Sequence, residues 1–527
     1  MRECVMPPHK LFLGLLMVFA ALRFAVLLTS QTHVHSDEAI IGLMAKHILE
    51  GRYFPFYMYG QPYNAGAAWE AYLAAIAFAL FGVSVISLKS CIVVLSLLCL
   101  FLFYRMCLAL YDQRTALFAT IVFGLTPSLL KWHSQVRGYS WYFLSIPVLT
   151  MLFAWAESAP APKRKVLFFF GLASAVSIWC LELAIPLVAA LWMLLILRRR
   201  VSLKSSMAGL AGFLVGYAPV LAWNFTHQFN NWRYIIIGRP GGGLQSLLQL
   251  STYRRILLDE MPKFFGSDTV LWYYPEKPPS GYVFFALAVL AVGAAVWPFI
   301  KSPSKILPAL RGNSPDADQK TDFTILVLAA ACLIPYLTVT PGVPSYFLGG
   351  CFFLSVLTGR MLERCFSCSK ALARLGGTAV FGAILLTGIT VTFEVGRKNQ
   401  IETLSSCDNA RNYCMTRIPG MDIEGIELYL RQHNVTSVWT TISFIYPLLF
   451  ESRETMAVSN AIFEPVYRVY PPQIAWRGPD PRGRFAVVIE RDSPLRGAVE
   501  ARLQQVTDVA PVISEYGKLT VIAPATP

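Results

Sequence analysis

The chain is short of charge, and shortest of acid. Of its 527 residues 14% are charged, with 31 Asp or Glu against 45 Lys or Arg, while 55% are hydrophobic. So little charge over such a length excludes an ordinary soluble enzyme and points to a polytopic membrane protein. A basic stripe with interleaved aromatics is also missing. Lys and Arg stand in short clusters between apolar runs, so the net charge of +14 speaks for membrane topology and against nucleic acid as a partner. The eleven cysteines supply no metal framework: Cys91, Cys99 and Cys107 recur along one apolar segment as small hydrophobes, and Cys365 and Cys368 form a lone C-x-x-C. Internal repeats, low-complexity tracts and lipidation motifs are absent.

Apolar runs fill the space that charge leaves. Spans are predicted at residues 11 to 30, 88 to 110, 115 to 130, 140 to 157, 166 to 181, 184 to 197, 205 to 223, 281 to 300, 322 to 338, 345 to 360 and 375 to 393. Arg23 interrupts the first run and no small-residue cleavage site follows it, which favours an uncleaved span over a signal peptide. Residues 66 to 82 are apolar but carry Glu70, and the positive charges decide their reading. If they do not cross, the loops with Arg114, Lys163-Arg164-Lys165, Arg198 to Arg200 and Lys204, Lys301 and Lys305, and Arg364, Lys370 and Arg374 all fall on the N-terminal side of the membrane. If they cross, every one of those clusters moves outside, against the positive-inside rule. The segment is therefore predicted to be interfacial or re-entrant.

The expected fold is an all-α polytopic membrane protein of about eleven transmembrane helices with a small C-terminal α/β extracytoplasmic domain. Residues 1 to 393 form the membrane domain, with outer loops at 31 to 87 and 224 to 280, and residues 394 to 527 the soluble one. In the latter, helices are predicted at 423 to 433 and 495 to 506, with strands at 437 to 441, 455 to 459, 485 to 490 and 519 to 523. Cys407 and Cys414 flank a polar loop on the outer side, where a disulfide would be chemically at home. Asn224-Phe225-Thr226 and Asn434-Val435-Thr436 fit the N-glycosylation pattern.

The outer face carries the elaboration, and its first loop opens on His35-Ser36-Asp37-Glu38. Two adjacent carboxylates beside a bilayer are costly to desolvate and mark a candidate functional site. They begin a predicted amphipathic surface helix that runs to Gly51, so Asp37 is also a candidate N-cap. The aromatic, Pro-rich stretch Arg52 to Tyr63 follows. It reads either as an interfacial aromatic belt or as a carbohydrate site in which rings pack on sugar faces.

The order of these features carries a resemblance. The Asp37-Glu38 pair after the first span, the helix ending Ile48-Leu49-Glu50-Gly51-Arg52, then Tyr59-Gly60-Gln61-Pro62-Tyr63, Trp69-Glu70-Ala71-Tyr72 and Leu80-Phe81-Gly82 resemble the GT-C glycosyltransferases. Within them the chain is most similar to bacterial relatives of protein O-mannosyltransferases, aminoarabinose transferases and lipopolysaccharide galacturonosyltransferases. Arg137-Gly138-Tyr139, Ala218-Pro219 through Trp223-Asn224, and Leu428 to Phe450 add weaker matches. Many relatives have an Arg-Tyr pair where this chain has Ser345-Tyr346, and the second loop lacks the Asp of the aminoarabinose transferases.

The resemblance implies transfer of a sugar from a polyprenyl-phosphate-linked donor to a lipid, polysaccharide or protein acceptor on the outer face of the inner or plasma membrane. Such a donor brings its own leaving group, so the enzyme must supply a base and positive charge. Asp37 is the candidate base and Glu38 its neighbour orienting the acceptor or the helix. Lys131, His133 and Arg137 form one basic cluster and Arg233, Arg239, Arg254, Arg255 and Lys263 another; Arg137, Arg233 and Lys131 are the candidate phosphate ligands, and anionic headgroups are their bland alternative. Tyr59, Gln61, Tyr63 and Glu70 are the candidate substrate residues. Some relatives hold a divalent metal with a Glu near the first-loop helix and a His in the long outer loop. Glu70 and His227 stand in broadly similar places, although the sequence does not require a metal. Displacement at the anomeric carbon without an enzyme nucleophile is expected to invert configuration. The rival classes are a transporter or lipid flippase, for which inverted halves and mid-bilayer polar residues are not found, and an O-antigen ligase or polymerase.

Overall fold

The computed structural model describes residues 8–29, 34, 36–158, 164–199, 201–236, 249–265, 279–338, 344–397, 401–406, 413–418, 423–440, 442–459, 470–471, 474, 484–491, 493, 495–507, 510–516 and 519–524. In chain order the elements are α1 (Pro8–Thr29), α2 (Ser36–Leu49), α3 (Ala65–Phe81), α4 (Val85–Leu110), α5 (Gln113–Leu125), α6 (Pro127–Trp132), α7 (Ser140–Ser158), α8 (Arg164–Cys180), α9 (Ile185–Leu197) and α10 (Leu203–Thr226). Then come α11 (Asn230–Ile236), α12 (Leu250–Arg255), α13 (Met261–Phe265), α14 (Pro279–Lys301), α15 (Ile306–Leu310), α16 (Ala317–Thr338), α17 (Leu348–Ser367) and α18 (Ala371–Arg397). The C-terminal part adds β1 (Ile401–Ser406), β2 (Tyr413–Ile418), α19 (Ile423–Gln432), β3 (Ser437–Thr440), α20 (Ile442–Glu451), β4 (Ala457–Ser459), β5 (Phe485–Glu490), α21 (Arg496–Thr507), β6 (Pro511–Tyr516) and β7 (Leu519–Pro524). Each of the eleven segments predicted to span holds an α-helix. Among the described residues six helices, α1, α4, α10, α14, α16 and α18, are long and apolar enough to cross a membrane.

The chain divides into two compact units. The first comprises residues up to Val26, Pro62–Gly66 and Ile92–Val395. Its helices approach one another through small residues, as apolar helices must when lipid offers no hydrophobic drive between them. A Cβ added to Gly171 on α8 would fall on the carbonyl oxygen of Gly209 on α10, and one on Gly212 would fall on that of Phe168. Gly359 on α17 meets the backbone of Ala119 on α5 in the same way. The helix ends are tied by ions: Arg198, just beyond α9, reaches Glu157 on α7 at 2.7 Å and the Thr324 hydroxyl on α16 at 2.8 Å, and Lys320 reaches the same Glu157 at 3.1 Å. Asp322 on α16 accepts from Tyr111 and from Arg364 on α17, each at 2.6 Å, while Arg360 pairs with Asp318 and Glu363. These are the ends that the positive-charge pattern assigns to one side of the membrane.

The second unit comprises Leu27–Gln61, Ala67–Cys91 and the chain from Gly396 onward. It joins the first-loop helices to the C-terminal segments. A five-stranded sheet has the order β4-β3-β5-β7-β6, parallel at β4/β3/β5 and antiparallel at β5/β7 and β7/β6, and β1 and β2 form a separate antiparallel pair. Trp439, Phe485, Val487, Ile489 and Ile522 from the sheet pack with Val499 and Leu503 of α21 as its core. The predicted helices and strands of this region are found. Unpredicted are α20, whose helical pattern is broken by Pro447, the pair β1/β2, and β6, an exposed edge strand that Pro511 opens.

Helix α2 differs from expectation. Its residues Glu38 to Ala45 and His47 are buried on nearly every side, so it is a packed helix and not an amphipathic one with a wet face. Gly42 is where the ring of Phe450 on α20 crosses it; a Cβ there would lie 2.5 Å from that ring. Since α2 begins at Ser36, Asp37 lies inside its first turn, not at the cap position. Cys407 and Arg239 lie outside the described residues.

Candidate active site

Helix α2 positions the acid pair in the second unit. Both carboxylates stand in its first turn, where the partial positive charge of the helix N-terminus favours them. Their surroundings then separate them. Glu38 is 2% exposed and pairs at 3.4 Å with Lys89 on α4, itself buried. Asp37 is only half-buried. Of the two, Glu38 is held in an ion pair away from solvent, and Asp37 is the carboxylate that a substrate could reach.

The other end of α2 is held by a residue of the C-terminal region. Glu454 accepts from Lys46 at 2.6 Å and from His47 Nε2 at 3.0 Å, and it hydrogen-bonds Tyr470. A carboxylate only accepts, so His47 Nε2 carries a hydrogen here, and Nδ1 lies 3.0 Å from the Tyr59 hydroxyl. Burial alone would raise the Glu454 carboxyl, but the hydrogen bonds and charges of His47 and Lys46 outweigh it and hold it down at about 2. Burial raises the hydroxyls of Tyr59 and Tyr470, which keeps both as neutral O–H groups. Arg453 and Glu454 both have positive φ, +53° and +62°, a backbone state rare outside glycine. This latch, the hydrogen bonds of Glu454 with Lys46 and His47, offsets that local cost. Tyr59, a predicted substrate residue, is thus an internal partner of His47 and 4% exposed; Glu70 on α3 is fully buried, and Gln61 is half-exposed.

The remaining predicted residues belong to the first unit. Pro62–Gly66 is braced between the second loop and α11. The Asn64 side chain donates to the Arg137 carbonyl at 3.3 Å, Asn231 donates to the Pro62 carbonyl at 2.6 Å, and Tyr63 stacks on Tyr234 with ring centroids 4.6 Å apart. A Cβ on Gly66 would fall on the Gly138 carbonyl, so only glycine permits this approach. Arg137 is half-buried over the Trp132 ring at 5.1 Å, and Arg233 is exposed on α11 beside Tyr234. Lys131 is half-buried at the end of α6. Asn224 is buried, donates to the Val220 carbonyl at 2.9 Å and accepts from the Trp232 amide, so the first glycosylation-like motif is a helix-joining device.

A metal finds little support in the donor set. His227 is exposed, stacks on Trp223, and has Nδ1 2.9 Å from both the Thr226 hydroxyl and the Trp223 carbonyl. Among the described residues no three His, Cys, Asp or Glu side chains gather as metal ligands.

Sequence reasoning missed Lys89, Lys46, His47 and Glu454. Lys89 had a signal, a lysine at the start of an apolar span. Glu454 had none, because its partners are some 400 residues distant.

The fold defines a class, the polytopic helical membrane proteins with a small C-terminal α/β part. No family model matches the chain, and no curated protein does. Among solved structures, ArnT from Cupriavidus metallidurans bound to undecaprenyl phosphate aligns over 97% of this chain and 98% of that one, with a TM-score of 0.59 at 12% identity. Its apo state gives 0.57 at the same coverage. The Archaeoglobus fulgidus oligosaccharyltransferase tethered with an acceptor peptide aligns over 85% of this chain and 63% of that one, with a TM-score of 0.50 at 12% identity. The likeness is one of fold.

Proposed function

We propose that the chain is a membrane glycosyltransferase that moves a sugar from a polyprenyl-phosphate-linked donor to an acceptor on the outer face of the membrane. The observation that carries this reading is the fold shared along almost the whole chain with ArnT, a protein crystallised with undecaprenyl phosphate. The half-buried Asp37 beside the ion-paired Glu38 supports the assignment of the base.

In the proposed reaction Asp37 takes the proton of the acceptor hydroxyl as its oxygen attacks the anomeric carbon. The bond to phosphate breaks with its electron pair, and the polyprenyl phosphate leaves with its negative charge met by Arg137, Arg233 and Lys131. One displacement inverts the anomeric carbon. Glu38 keeps α2 in place through Lys89, and Gln61 and Tyr63 are the groups offered to sugar hydroxyls or faces.

The test is Asp37→Asn in the full chain, assayed in proteoliposomes with a polyprenyl-phosphate sugar. A general base contributes about 10² to 10⁴ in rate, so transfer should fall by that factor while the melting temperature stays. Undiminished transfer would sink the assignment of the base, and a product with the donor's anomeric configuration would sink the single displacement.

A further inference from the structure

Arg23, which interrupts the first apolar run, takes no part in the proposed reaction. It lies on α1, five residues before the end of the candidate span Lys10–Leu28, about 8 Å in from that end at 1.5 Å per residue. The long stem of an arginine at such a depth ordinarily carries its head to the membrane surface. Here it does not. Arg23 is 4% exposed, and among the described residues none of its three guanidinium nitrogens has a hydrogen-bond partner. A guanidinium keeps its proton in proteins, so a full positive charge stands inside the first unit.

That charge acts on two groups, the Cys99 thiol on α4 and the imidazole of His133, the residue that closes α6. Neither supplies a counter-charge. The Cys99 thiol donates its hydrogen to the Phe143 carbonyl at 3.7 Å. His133 is 3% exposed, and neither ring nitrogen has a partner among the described residues. Burial and the charge of Arg23 both disfavour the imidazolium, so the ring is neutral and one nitrogen carries a hydrogen. No carboxylate among the described residues acts on either side chain. Buried donors of this kind, one of them charged, call for a ligand.

Three features narrow it. It is anionic, because a guanidinium only donates and its charge has no counterpart. It is small, because Phe19, one turn before Arg23 on α1, lies so close to Gly124 of α5 that a Cβ there would stand 2.4 Å from its ring. It is monovalent and weakly hydrated, because the walls beside His133 are aromatic: Phe123 at 5.7 Å and Phe143 at 5.2 Å, backed by Phe352. Ring edges carry partial positive charge but give no further hydrogen bonds, too little for a dianion such as sulfate or phosphate. The buried guanidinium is likewise out of reach of a lipid phosphate.

We propose that Arg23 and His133 form a binding site for one chloride ion. The guanidinium and the imidazole N–H donate to the ion, which cancels the buried charge and ties α1 to α6. The site is separate from sugar transfer, and a binding measurement tests it.

The full chain is purified in nanodiscs with gluconate as the only anion, and chloride is added at constant ionic strength. The melting temperature should rise saturably, by about 2 to 4 °C once chloride stands several-fold above its Kd. Arg23→Met should abolish this response. His133→Phe should raise the half-saturating chloride concentration about tenfold, the worth of one charge-assisted hydrogen bond. Crystals of the wild type grown in bromide should show an anomalous peak between Arg23 and His133, a result that needs no variant to fold. A melting temperature indifferent to chloride overturns the proposal, as does a response that survives Arg23→Met. Equal stabilisation by sulfate overturns it too, and so does a water at that position in bromide-grown crystals.

Discussion

The two units use charge for different ends. In the first, the pairs around Arg198, Asp322 and Arg360 tie together the ends of helices whose faces meet through glycine. In the second, the buried ion pairs meet on one short helix: Lys89 holds the first turn of α2 through Glu38, and Glu454 holds its last turn through Lys46 and His47. The buried faces of α2 between them are apolar, so these two contacts hold both ends of the helix that carries Asp37. A lost contact in the first unit should cost stability, whereas one in the second should also displace the proposed base.

The largest expected effect comes from Lys89→Met. It leaves Glu38 buried without its cation, and breaking a buried pair from one side costs about 3 to 5 kcal/mol. Detergent-solubilised protein should show a lower unfolding midpoint, and Glu38→Leu added to Lys89→Met should recover most of it. A double variant no better than the single one would break the claim that pairing is what holds α2.

Glu454→Gln comes next, at about 1.5 to 3 kcal/mol for hydrogen bonds to a charged group. Its sharper readout is pH. The native carboxyl is held at about 2, below its ordinary 4.5, so the stability it contributes is fully present above about 4.5 and is lost as pH falls toward about 2. Wild type and variant should differ in melting temperature at neutral pH and converge on acidification. A gap independent of pH would show that the latch is packing and not charge. In the first unit Gly212→Ala should cost about 1 to 3 kcal/mol, because its Cβ meets the Phe168 backbone and the helices must part. Unlike the changes at α2, it should leave the kcat of the folded fraction unaltered.

Much of this contrast was legible in the sequence. Long apolar runs mark their helices because periodicity and length agree, and Asp37-Glu38 marks itself as acid beside a span. What stayed hidden depends on contacts distant in sequence. The helical spacing of apolar residues in α2 suggests one wet face, yet Phe450 covers Gly42 from a helix that Pro447 conceals. Tyr59 looked like a sugar-stacking ring and is the partner of His47, because aromatic composition does not say which rings face inward. Arg137 and Arg233 stand out as a pair by resemblance as much as by chemistry, but the segment Pro62–Gly66, which meets the Arg137 carbonyl and the Tyr234 ring, shows its purpose only through Asn64, Tyr63 and the glycine.

The smallest expected effect tests the helix ends of the first unit. Asp112 caps α5, accepting the Thr115 amide at 2.9 Å, and lies 3.6 Å from Arg360. With Asp112 half-exposed on its side chain, the ion pair adds little and the cap dominates. Asp112→Ala should therefore cost about 1 kcal/mol, and Asp112→Asn, which keeps the cap and removes the charge, a few tenths. Equal losses in the two variants would make the charge the larger contribution. The first unit would then resemble the second in depending on ions, and the contrast between them would narrow to glycine packing alone.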